Sequence, residues 1–323
     1  MRVDAKETLF VVSPLLPRRA VLQGLGGLAV AAGSAARAEA SGTAFVAIGD
    51  WGRKGSRHQV DVATAMGKGA GEIGSRFVLS AGDNFYPDGV QSVDDAHWKE
   101  SFEDVYVAAS LQTPWLAALG NHDYRGKPSA QLAYTRGSPR WRMPGRRYVV
   151  SGAEFGAPQL DVFVMDTTPV VGGEGEAMVR WARGRVSMPD AESEIGWLRG
   201  ALARSTAEWK VVVGHHPIRS GGHHGGSPLL QEQVEPLLAA HNVQAYICGH
   251  DHALQHLRAG GTNHICTGAG SSAGHVDVVQ GTLFRGSQPG FAMFALAGDG
   301  LRLEFRDFNG HSLYQVTLPR TLA

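Results

Sequence analysis

Five short apolar runs recur along the chain, and each is followed at once by a glycine and a polar residue. They cover residues 43–48, 77–81, 115–119, 209–213 and 244–248. Uninterrupted apolar runs of this length are typical of strands buried in a sheet. Apolar residues at helical spacing predict helices over 58–73, 94–108, 192–205 and 228–241. Asp94 is the predicted N-cap of the second helix.

The remaining pattern predicts further strands and two long loops. The shorter apolar runs predict strands at 148–151, 160–165 and 264–267. Residues 290–318 form three strand-like runs separated by turn signals at 298–300 and 309–310, which predicts an antiparallel meander. The polar, glycine-containing segments 125–147 and 172–188 predict long loops, the first of them passing over a functional site.

The N-terminal segment has the features of an export signal. Two arginines at positions 18 and 19 precede a weakly apolar, glycine- and alanine-rich stretch at 21–36, and two A-x-A cleavage sites lie within 36–40. We therefore predict a twin-arginine-type signal at 1–40, a catalytic domain at 41–323 and a periplasmic or secreted product. Stable membrane insertion after cleavage is not expected. The alternative is an uncleaved amphipathic leader or a membrane anchor.

Composition narrows the class of protein. The chain has 323 residues, of which 43% are hydrophobic and 19% charged, as in ordinary soluble globular proteins. The formal net charge is zero, so we expect no nucleic-acid binding through bulk electrostatics. Its two cysteines, Cys248 and Cys266, exclude a disulfide scaffold and a thiolate zinc site. Both are predicted to be buried, and they could pair only if their strands are neighbours.

The residues that follow the five runs are all capable of binding metal ions. They are Asp50, Asp83 with Tyr86, Asn121, His215, and His250 with His252. Ligands of open α/β sheets bind at the carboxyl ends of strands, so we expect the five loops to converge. A carboxylate can bridge two cations, and a phenolate suits Fe(III). The set therefore predicts a site for two hard-to-borderline cations.

The motifs GDWG, GDNFY, GNHD, VVGHHP and CGHDH occur in this order from residue 49 onwards. In this order they resemble those of the calcineurin-like metallophosphoesterases, and among them the purple acid phosphatases of the tartrate-resistant type. The resemblance covers nearly all of the chain from Gly49 to the run at 313–319. It implies an α/β fold, a four-layer α-β-β-α sandwich of two mixed sheets flanked by helices. It also implies an acid phosphatase that hydrolyses small phosphate monoesters by attack of a metal-bound hydroxide.

The resemblance also implies how the ligands divide between two metals. The Fe(III) site would consist of Asp50, Asp83, Tyr86 and His252. The site for a divalent ion, which could be Fe, Zn or Mn, would consist of Asp83, Asn121, His215 and His250. Asp83 would bridge the two.

Two histidines match family residues near the leaving group and the phosphate. They are His122 and His224, and either could be the general acid, with a pKa set by the metals and by a carboxylate such as Asp123. His122 could instead only hold Asn121 in place, and the sequence leaves His223 open as the alternative to His224. His216 is expected to be packed or solvent-facing rather than a ligand.

The sequence departs from the family pattern in two places, and it leaves two alternative functions open. Leu229 stands where mammalian relatives have a disulfide cysteine, and 172–188 occupies the place of a loop that restrains activity in the family. That segment could equally be an ordinary solvated loop. The first alternative function is a Zn/Mn phosphodiesterase of the same fold. The second is a non-catalytic metal- or phosphate-binding protein, and the sequence leaves the oligomeric state open.

Overall fold

Two mixed sheets of seven strands each pack against one another at the centre of the molecule. In this computed structural model the described residues are 42–172, 190–298 and 300–320. They belong to one compact unit, Ala40–Ala323. The predicted signal at 1–40 and all but the first residue of the predicted loop 172–188 lie outside the described residues.

The first sheet has the strand order β14-β13-β12-β1-β2-β3-β4. Its strands are β1 (Ala44–Ile48), β2 (Phe77–Ser80), β3 (Trp115–Ala117), β4 (Trp141–Arg142), β12 (Gly290–Ala297), β13 (Gly300–Asp307) and β14 (Ser312–Pro319). The strands β1 to β4 run parallel, and β12 pairs antiparallel with β1. The strands β12, β13 and β14 form an antiparallel meander, which confirms that prediction.

The second sheet has the strand order β11-β9-β10-β8-β7-β6-β5. Its strands are β5 (Tyr148–Ser151), β6 (Leu160–Val164), β7 (Trp209–Val213), β8 (Ala245–Cys248), β9 (Leu254–Ala259), β10 (Thr262–Thr267) and β11 (Thr282–Gly286). The strands β6, β7, β8 and β10 run parallel. The strand β5 is antiparallel to β6, β9 is antiparallel to β10, and β11 is antiparallel to β9.

Helices cover the outer faces of the two sheets. They are α1 (Gln59–Ile73), α2 (Ala96–Trp98) with a π-helical continuation (Lys99–Glu103), α3 (Pro128–Tyr134), α4 (Thr168–Val171), α5 (Ala191–Arg204), α6 (Pro228–Gln233) and α7 (Glu235–Ala240). The helix α1 packs on β1 and β12 of the first sheet. Among the described residues, no helix has both the length and the apolar character needed to span a membrane.

The central strands of the second sheet serve two hydrophobic cores. On β6 and β7 the side chains of Val162 and Val211 belong to the large core shared with the first sheet. Phe163 and Val212 point to the other face and belong to a second core with α4 to α7. This alternation follows from the period of two in a strand. The layers are therefore helices, sheet, sheet and helices, which confirms the predicted fold class.

The predicted helix over 94–108 is wrong in its length. The structure has only α2 and its π-helical continuation, and Asp95 rather than Asp94 is the N-cap, because its carboxylate accepts a backbone N–H at 3.0 Å. After the continuation ends, the chain turns so that the ring of Tyr106 lies edge-on to the buried indole of Trp51 at 5.3 Å. Packing around this aromatic cluster overrides the local helical pattern.

The segment 125–147 is not the uninterrupted loop that we predicted, since it contains α3 and β4. Pro128 begins α3, where the missing N–H of a proline costs no helical hydrogen bond. Trp141 pairs with Trp115 of β3, and its indole is buried. The two elements are short and stand in a polar stretch, so the hydrophobic pattern does not reveal them.

The predicted helix over 228–241 is interrupted at Val234, which separates α6 from α7. Pro236 lies in the first turn of α7 and cannot donate the N–H that a continuous helix would need. The strands β9 and β11 were also not predicted. Gly260 and Gly261, both with positive φ, connect β9 to β10, and this glycine pair was an available hairpin signal.

Cys248 and Cys266 lie opposite each other on the neighbouring strands β8 and β10. Both are buried, as predicted, and both are free thiols. Their strands are therefore neighbours, which was the stated condition for a disulfide, but the two thiols are not joined.

A buried ion pair connects α7 to the second sheet. Arg219 makes two hydrogen bonds to the carboxylate of Glu235, at 2.7 and 2.8 Å, and His264 Nε2 lies 3.0 Å from the same carboxylate. Burial opposes ionisation, but these partners hold the pKa of Glu235 at about 2. The charged carboxylate therefore stabilises the folded state at neutral pH.

We expect Glu235→Gln to lower the free energy of unfolding by about 2 kcal/mol at pH 7, since it leaves Arg219 without its charged partner. Because the folded pKa lies below the ordinary value, the difference from wild type should be constant above about pH 5. It should shrink as the pH falls from about 4.5 towards 2. Urea unfolding at several pH values measures this, with the exposed Glu232→Gln as the control. A pH-independent difference would contradict the assignment.

Candidate metal centre

Three of the predicted ligands stand at strand ends in a backbone conformation that ordinary residues rarely adopt. Asp50, Asp83 and His250 have φ angles of 61°, 48° and 67°. For residues other than glycine, such conformations cost on the order of 1–3 kcal/mol each and are found mainly at functional sites. Hydrogen bonds hold them: the His250 N–H donates to Asp50 Oδ2 at 2.9 Å, and the Asp50 N–H donates to the Gly82 carbonyl at 3.1 Å.

Two glycines allow neighbouring strand-end loops to approach one another closely, Gly120 within the first sheet and Gly249 between the two sheets. A Cβ atom on Gly120 would lie 2.3 Å from the backbone nitrogen of Asp83, and one on Gly249 would lie 2.3 Å from Asp50 Oδ2. No larger residue fits at either place without displacing a predicted ligand. The glycine that follows each of these two apolar runs is therefore a requirement for convergence, as well as a turn signal.

The four residues of the predicted Fe(III) set lie together. Tyr86 Oη is 2.7 Å from Asp50 Oδ1, 2.7 Å from Asp83 Oδ2 and 3.2 Å from His252 Nε2. His252 Nε2 is also 3.6 Å from Asp50 Oδ1. These four side chains come from loops of both sheets and present their donor atoms to one point.

The other predicted set lies beside it. Asn121 Oδ1 is 3.0 Å from His215 Nε2 and 3.1 Å from His250 Nδ1. His215 Nε2 is 3.4 Å from Asp83 Oδ1, the oxygen that does not face Tyr86. The two carboxylate oxygens of Asp83 thus face different sets of donors. All seven residues predicted as ligands are brought together.

The pKa shifts in this cluster indicate that positive charge stabilises its carboxylates. Burial, followed by the charges of Asp50 and Asp83, raises the pKa of Tyr86 well above its ordinary value. Burial also disfavours a charged imidazole at His215, but the same two carboxylates outweigh it and raise the pKa of His215 to about 10. A proton held on His215 balances part of the carboxylate charge. Cations bound between these oxygen and nitrogen donors would balance it more fully.

His122 lies at the edge of the cluster. Its backbone N–H donates to Asp83 Oδ1 at 2.8 Å, and its ring Nδ1 is 2.6 Å from the carbonyl oxygen of Pro87. A hydrogen bond from Nδ1–H to this carbonyl leaves Nε2, which is 4.0 Å from Asp83 Oδ2, as the ring nitrogen on the side of the cluster. The ring also lies 4.4 Å from that of Tyr86.

Asp123, which we expected to tune His122, has other partners. Its carboxylate accepts hydrogen bonds from the N–H of Gly120 at 2.8 Å and from Gln131 Nε2 at 2.8 Å. Burial and then the charge of Asp83 raise the pKa of Asp123 to about 7. The residue holds the loop that carries Asn121 and His122, while the Pro87 carbonyl is the partner of the imidazole.

His224 and His223 both line a cavity of about 130 Å³ next to His250 and His252. The ring of His224 lies 4.2 Å from that of His250, and its backbone N–H donates to Asp251 at 2.8 Å. His223 contacts the ring of His224 at 5.2 Å. The structure thus places His224 against a predicted ligand and His223 behind it.

The model of one protein family, the calcineurin-like phosphoesterases, matches residues 43–254. The chain belongs to this family. Purple acid phosphatase 3 of Arabidopsis thaliana is 38% identical to it over 282 residues, which is 84% of this chain and 76% of the relative. The tartrate-resistant acid phosphatase type 5 of Homo sapiens is 34% identical over 297 residues, covering 85% and 90% of the two chains. These identities place the phosphoesterase among the purple acid phosphatases.

Solved structures show the same fold. GAP50, described as the anchor in the inner membrane complex of Plasmodium, matches with a TM-score of 0.73 and 25% identity, over 86% of this chain and 89% of that one. The purple acid phosphatase PPD1 from yellow lupin seeds matches with a TM-score of 0.64 and 15% identity, over 87% of this chain and 54% of that one.

The hydroxyl of Thr167 holds the loop that carries His215 in this phosphoesterase. Its oxygen accepts the backbone N–H groups of His215 at 3.2 Å and His216 at 3.0 Å. With these two bonds accepted, the hydroxyl donates its hydrogen to His216 Nδ1 at 2.8 Å. This bond uses His216 Nδ1 and leaves Nε2 as the remaining ring nitrogen, and His216 forms with His215 and His250 a group whose possible ligand atoms lie within 4.8 Å of one another.

Sequence analysis missed several residues that position the site. They are Thr167, the Ala81 carbonyl that lies 2.9 Å from His215 Nδ1, Ser272 at 3.3 Å from His252 Nδ1, and the Pro87 carbonyl. Thr167 follows a predicted strand end in the same way as the ligands do, so its position was an available signal. The two carbonyls carry no sequence signal at all.

We expect Thr167→Val to lower metal affinity and turnover about 10- to 100-fold while the protein stays folded, because the valine keeps the shape but cannot hold the His215 loop. Metal analysis, steady-state kinetics and thermal unfolding measure the three quantities. The control is Thr262→Val, since the buried hydroxyl of Thr262 has no hydrogen-bond partner among the described residues. Unchanged metal content and turnover in Thr167→Val would show that the loop does not depend on this hydroxyl.

Proposed function

We propose that this phosphoesterase is an acid phosphatase that hydrolyses phosphate monoesters at a binuclear metal centre. The observation that carries the proposal is the position of Asp83. One of its oxygens lies 2.7 Å from Tyr86 Oη, and the other lies 3.4 Å from His215 Nε2. A single carboxylate that faces two complete donor sets is the arrangement expected of a ligand shared by two cations.

The donor types fit the proposed metals. Fe(III) would be held by Asp50, Asp83, Tyr86 and His252. A divalent Fe, Zn or Mn ion would be held by Asp83, Asn121, His215 and His250. Both sets contain only oxygen and nitrogen donors, and the phenol oxygen belongs to the set proposed for the harder ion. When bound, two cations neutralise a phosphate dianion and lower the pKa of coordinated water.

His122 is the residue that we propose as the proton donor to the leaving group. Its Nδ1 is directed at the Pro87 carbonyl at 2.6 Å, so a protonated imidazole has Nε2–H free to donate on the side of the donor sets. Breakage of the phosphorus–oxygen bond leaves an alkoxide, which takes this proton and departs as an alcohol. The neutral imidazole then regains a proton from solvent.

His224 is proposed to assist at the same site. Its ring lies 4.2 Å from that of His250, at an interplanar angle of 36°, and lines the cavity of about 130 Å³. A protonated His224 would contribute positive charge and an N–H donor to a bound phosphate oxygen.

The names of the relatives support this proposal over its two alternatives. A Zn/Mn phosphodiesterase of the same fold would not need a phenol at the centre, whereas here Tyr86 Oη has three predicted ligands within 3.2 Å. One of the similar structures, GAP50, is described as an anchor, so the second alternative is judged from the residues of this site. Seven converging donors together with His122 favour an enzyme, because loss of catalysis commonly leaves some of these groups replaced.

We also propose that the enzyme is exported through the twin-arginine route and is periplasmic or secreted. The support is the arginine pair at 18 and 19 with its apolar stretch and cleavage sites. That route carries proteins that are already folded, which suits an enzyme that binds its metals before export. Cell fractionation of the full chain tests this proposal, and an uncleaved cytosolic protein would contradict it.

Turnover of p-nitrophenyl phosphate, measured with and without a chelator, tests the proposed activity. We expect hydrolysis that is lost on metal removal and restored by iron together with a divalent ion. A visible spectrum and metal analysis of the same sample should show a broad band in the green to yellow region and at least one iron per chain. A colourless zinc or manganese protein that prefers phosphodiesters would support the first alternative. A protein without turnover would support the second.

We expect Tyr86→Phe to abolish the visible band while some hydrolysis remains, since only the phenol oxygen is removed and six predicted ligands stay in place. Absorption spectra of wild type and variant at equal iron content measure this effect. Tyr124→Phe is the control, because it removes a buried phenol that donates to Asp166 outside the donor sets. A band that survives in Tyr86→Phe would exclude this phenol as the source of the colour.

We expect His122→Ala to lower turnover of an alkyl phosphate about 100-fold or more, and that of p-nitrophenyl phosphate much less. The reason is that an alkoxide needs a proton in order to leave, whereas p-nitrophenolate does not. Parallel kinetics on the two substrates give the comparison, and the exposed His311→Ala is the control. Equal losses on both substrates would mean that His122 only holds the Asn121 loop.

A further inference from the structure

Arg53 is fixed in a defined position next to Tyr86. It lies in the loop after β1, next to Gly52 in the sequence. Its guanidinium carbon lies 3.6 Å from the centre of the Tyr86 ring. Its Nε donates to Ser271 Oγ at 2.9 Å, and its backbone N–H donates to Gln59 at 2.9 Å. The guanidinium is therefore a fixed charge over the ring, held from more than one side.

The same contacts connect Arg53 to the loop that carries Asp50. Ser271 accepts the Arg53 Nε–H and donates its own hydroxyl to the Asp50 backbone carbonyl at 2.7 Å. The oxygen of Tyr86 in turn lies 2.7 Å from the Asp50 carboxylate. Arg53, Ser271, Asp50 and Tyr86 thus form a closed ring of contacts around one edge of the donor set.

A guanidinium at this distance acts on the electrons of the aromatic ring. A cation over an aromatic face is attracted by the negative charge of that face, and the attraction grows when the site excludes water. A phenolate ring carries more negative charge than a phenol ring, so the attraction between Arg53 and this ring would be stronger when the Tyr86 oxygen binds a cation. Arginine keeps its charge when buried, and its planar group matches the ring, which lysine does not.

We propose that Arg53 is a positioning residue that orients the Tyr86 ring and tunes its phenolate as a metal ligand. The proposal rests on the Fe(III) site that we propose for Tyr86. The stacked cation stabilises the electrons that the phenolate would share with iron. It also holds the ring in one orientation relative to Asp50 in the same donor set.

This arrangement has a spectroscopic consequence. The visible band of an Fe(III)–phenolate arises when light moves an electron from the phenolate ring towards iron. A positive charge 3.6 Å from the ring opposes removal of that electron, so it raises the energy of the transition. Loss of the charge should move the band to longer wavelength. A residue that only filled space would leave the band where it is.

The test compares the visible spectra of four iron-loaded proteins: wild type, Arg53→Gln, Arg53→Lys and Arg57→Gln. We expect a shift to longer wavelength in Arg53→Gln and a smaller one in Arg53→Lys, which keeps the charge without the planar stack. We expect no shift in the control, because Arg57 is an exposed arginine of the same loop. Loss of iron to a chelator should be about tenfold faster in Arg53→Gln, because the Tyr86 ring is no longer held in one orientation.

The outcomes separate this proposal from the one on which it rests. A colourless wild-type protein would overturn the Fe(III) assignment. A coloured wild type with an unshifted band in Arg53→Gln would overturn only the role of Arg53. If Arg53→Gln does not fold, Ser271→Ala replaces it, because that variant releases the guanidinium and keeps the charge. An unshifted band and unchanged iron loss in Ser271→Ala would then contradict the proposal.

Discussion

The buried carboxylate of Asp83 is the constraint on which the rest of the site depends. It is nearly inaccessible to water, and its backbone has a positive φ of 48°. Both its oxygens are committed, one to Tyr86 and the other to His215 and the His122 N–H. A buried anion with this many directed neighbours is stable only if positive charge is supplied. The proton on His215 supplies some of it, and the remaining demand is the physical basis of metal affinity.

The two sheets supply the means to concentrate that charge. Their strand ends are joined by backbone hydrogen bonds, from the Gly49 N–H to the Thr267 carbonyl at 2.9 Å and from the Gly270 N–H to the Gly49 carbonyl at 3.1 Å. These bonds fix loops of different sheets relative to one another. The large hydrophobic core beneath them offsets the strained backbone at Asp50, Asp83 and His250. The packing that stabilises the sandwich therefore also maintains the geometry of the site.

Sequence patterns pointed to residues that the structure brings together, because these residues follow a rule of chain geometry. An apolar run, a glycine and a polar residue mark a parallel strand and its carboxyl end, so the positions of Asp50, Asn121 and His215 could be read directly. The rule fails where contacts are made by backbone atoms, as at the Pro87 carbonyl, or by stacking across loops, as at Arg53. It also fails for α3 and β4, which are too short to show a period. The helical pattern did not predict that the helix over 228–241 is interrupted just before Pro236, although the proline is visible in the sequence.

Tyr86 connects these observations, because two basic side chains contact its ring. Arg53 lies 3.6 Å from the ring centre, and the ring of His122 lies 4.4 Å away. The charge of Arg53 is permanent, whereas that of His122 changes when the imidazole gains or gives up a proton. The electron density of the phenol oxygen therefore depends on a constant neighbour and on a variable one.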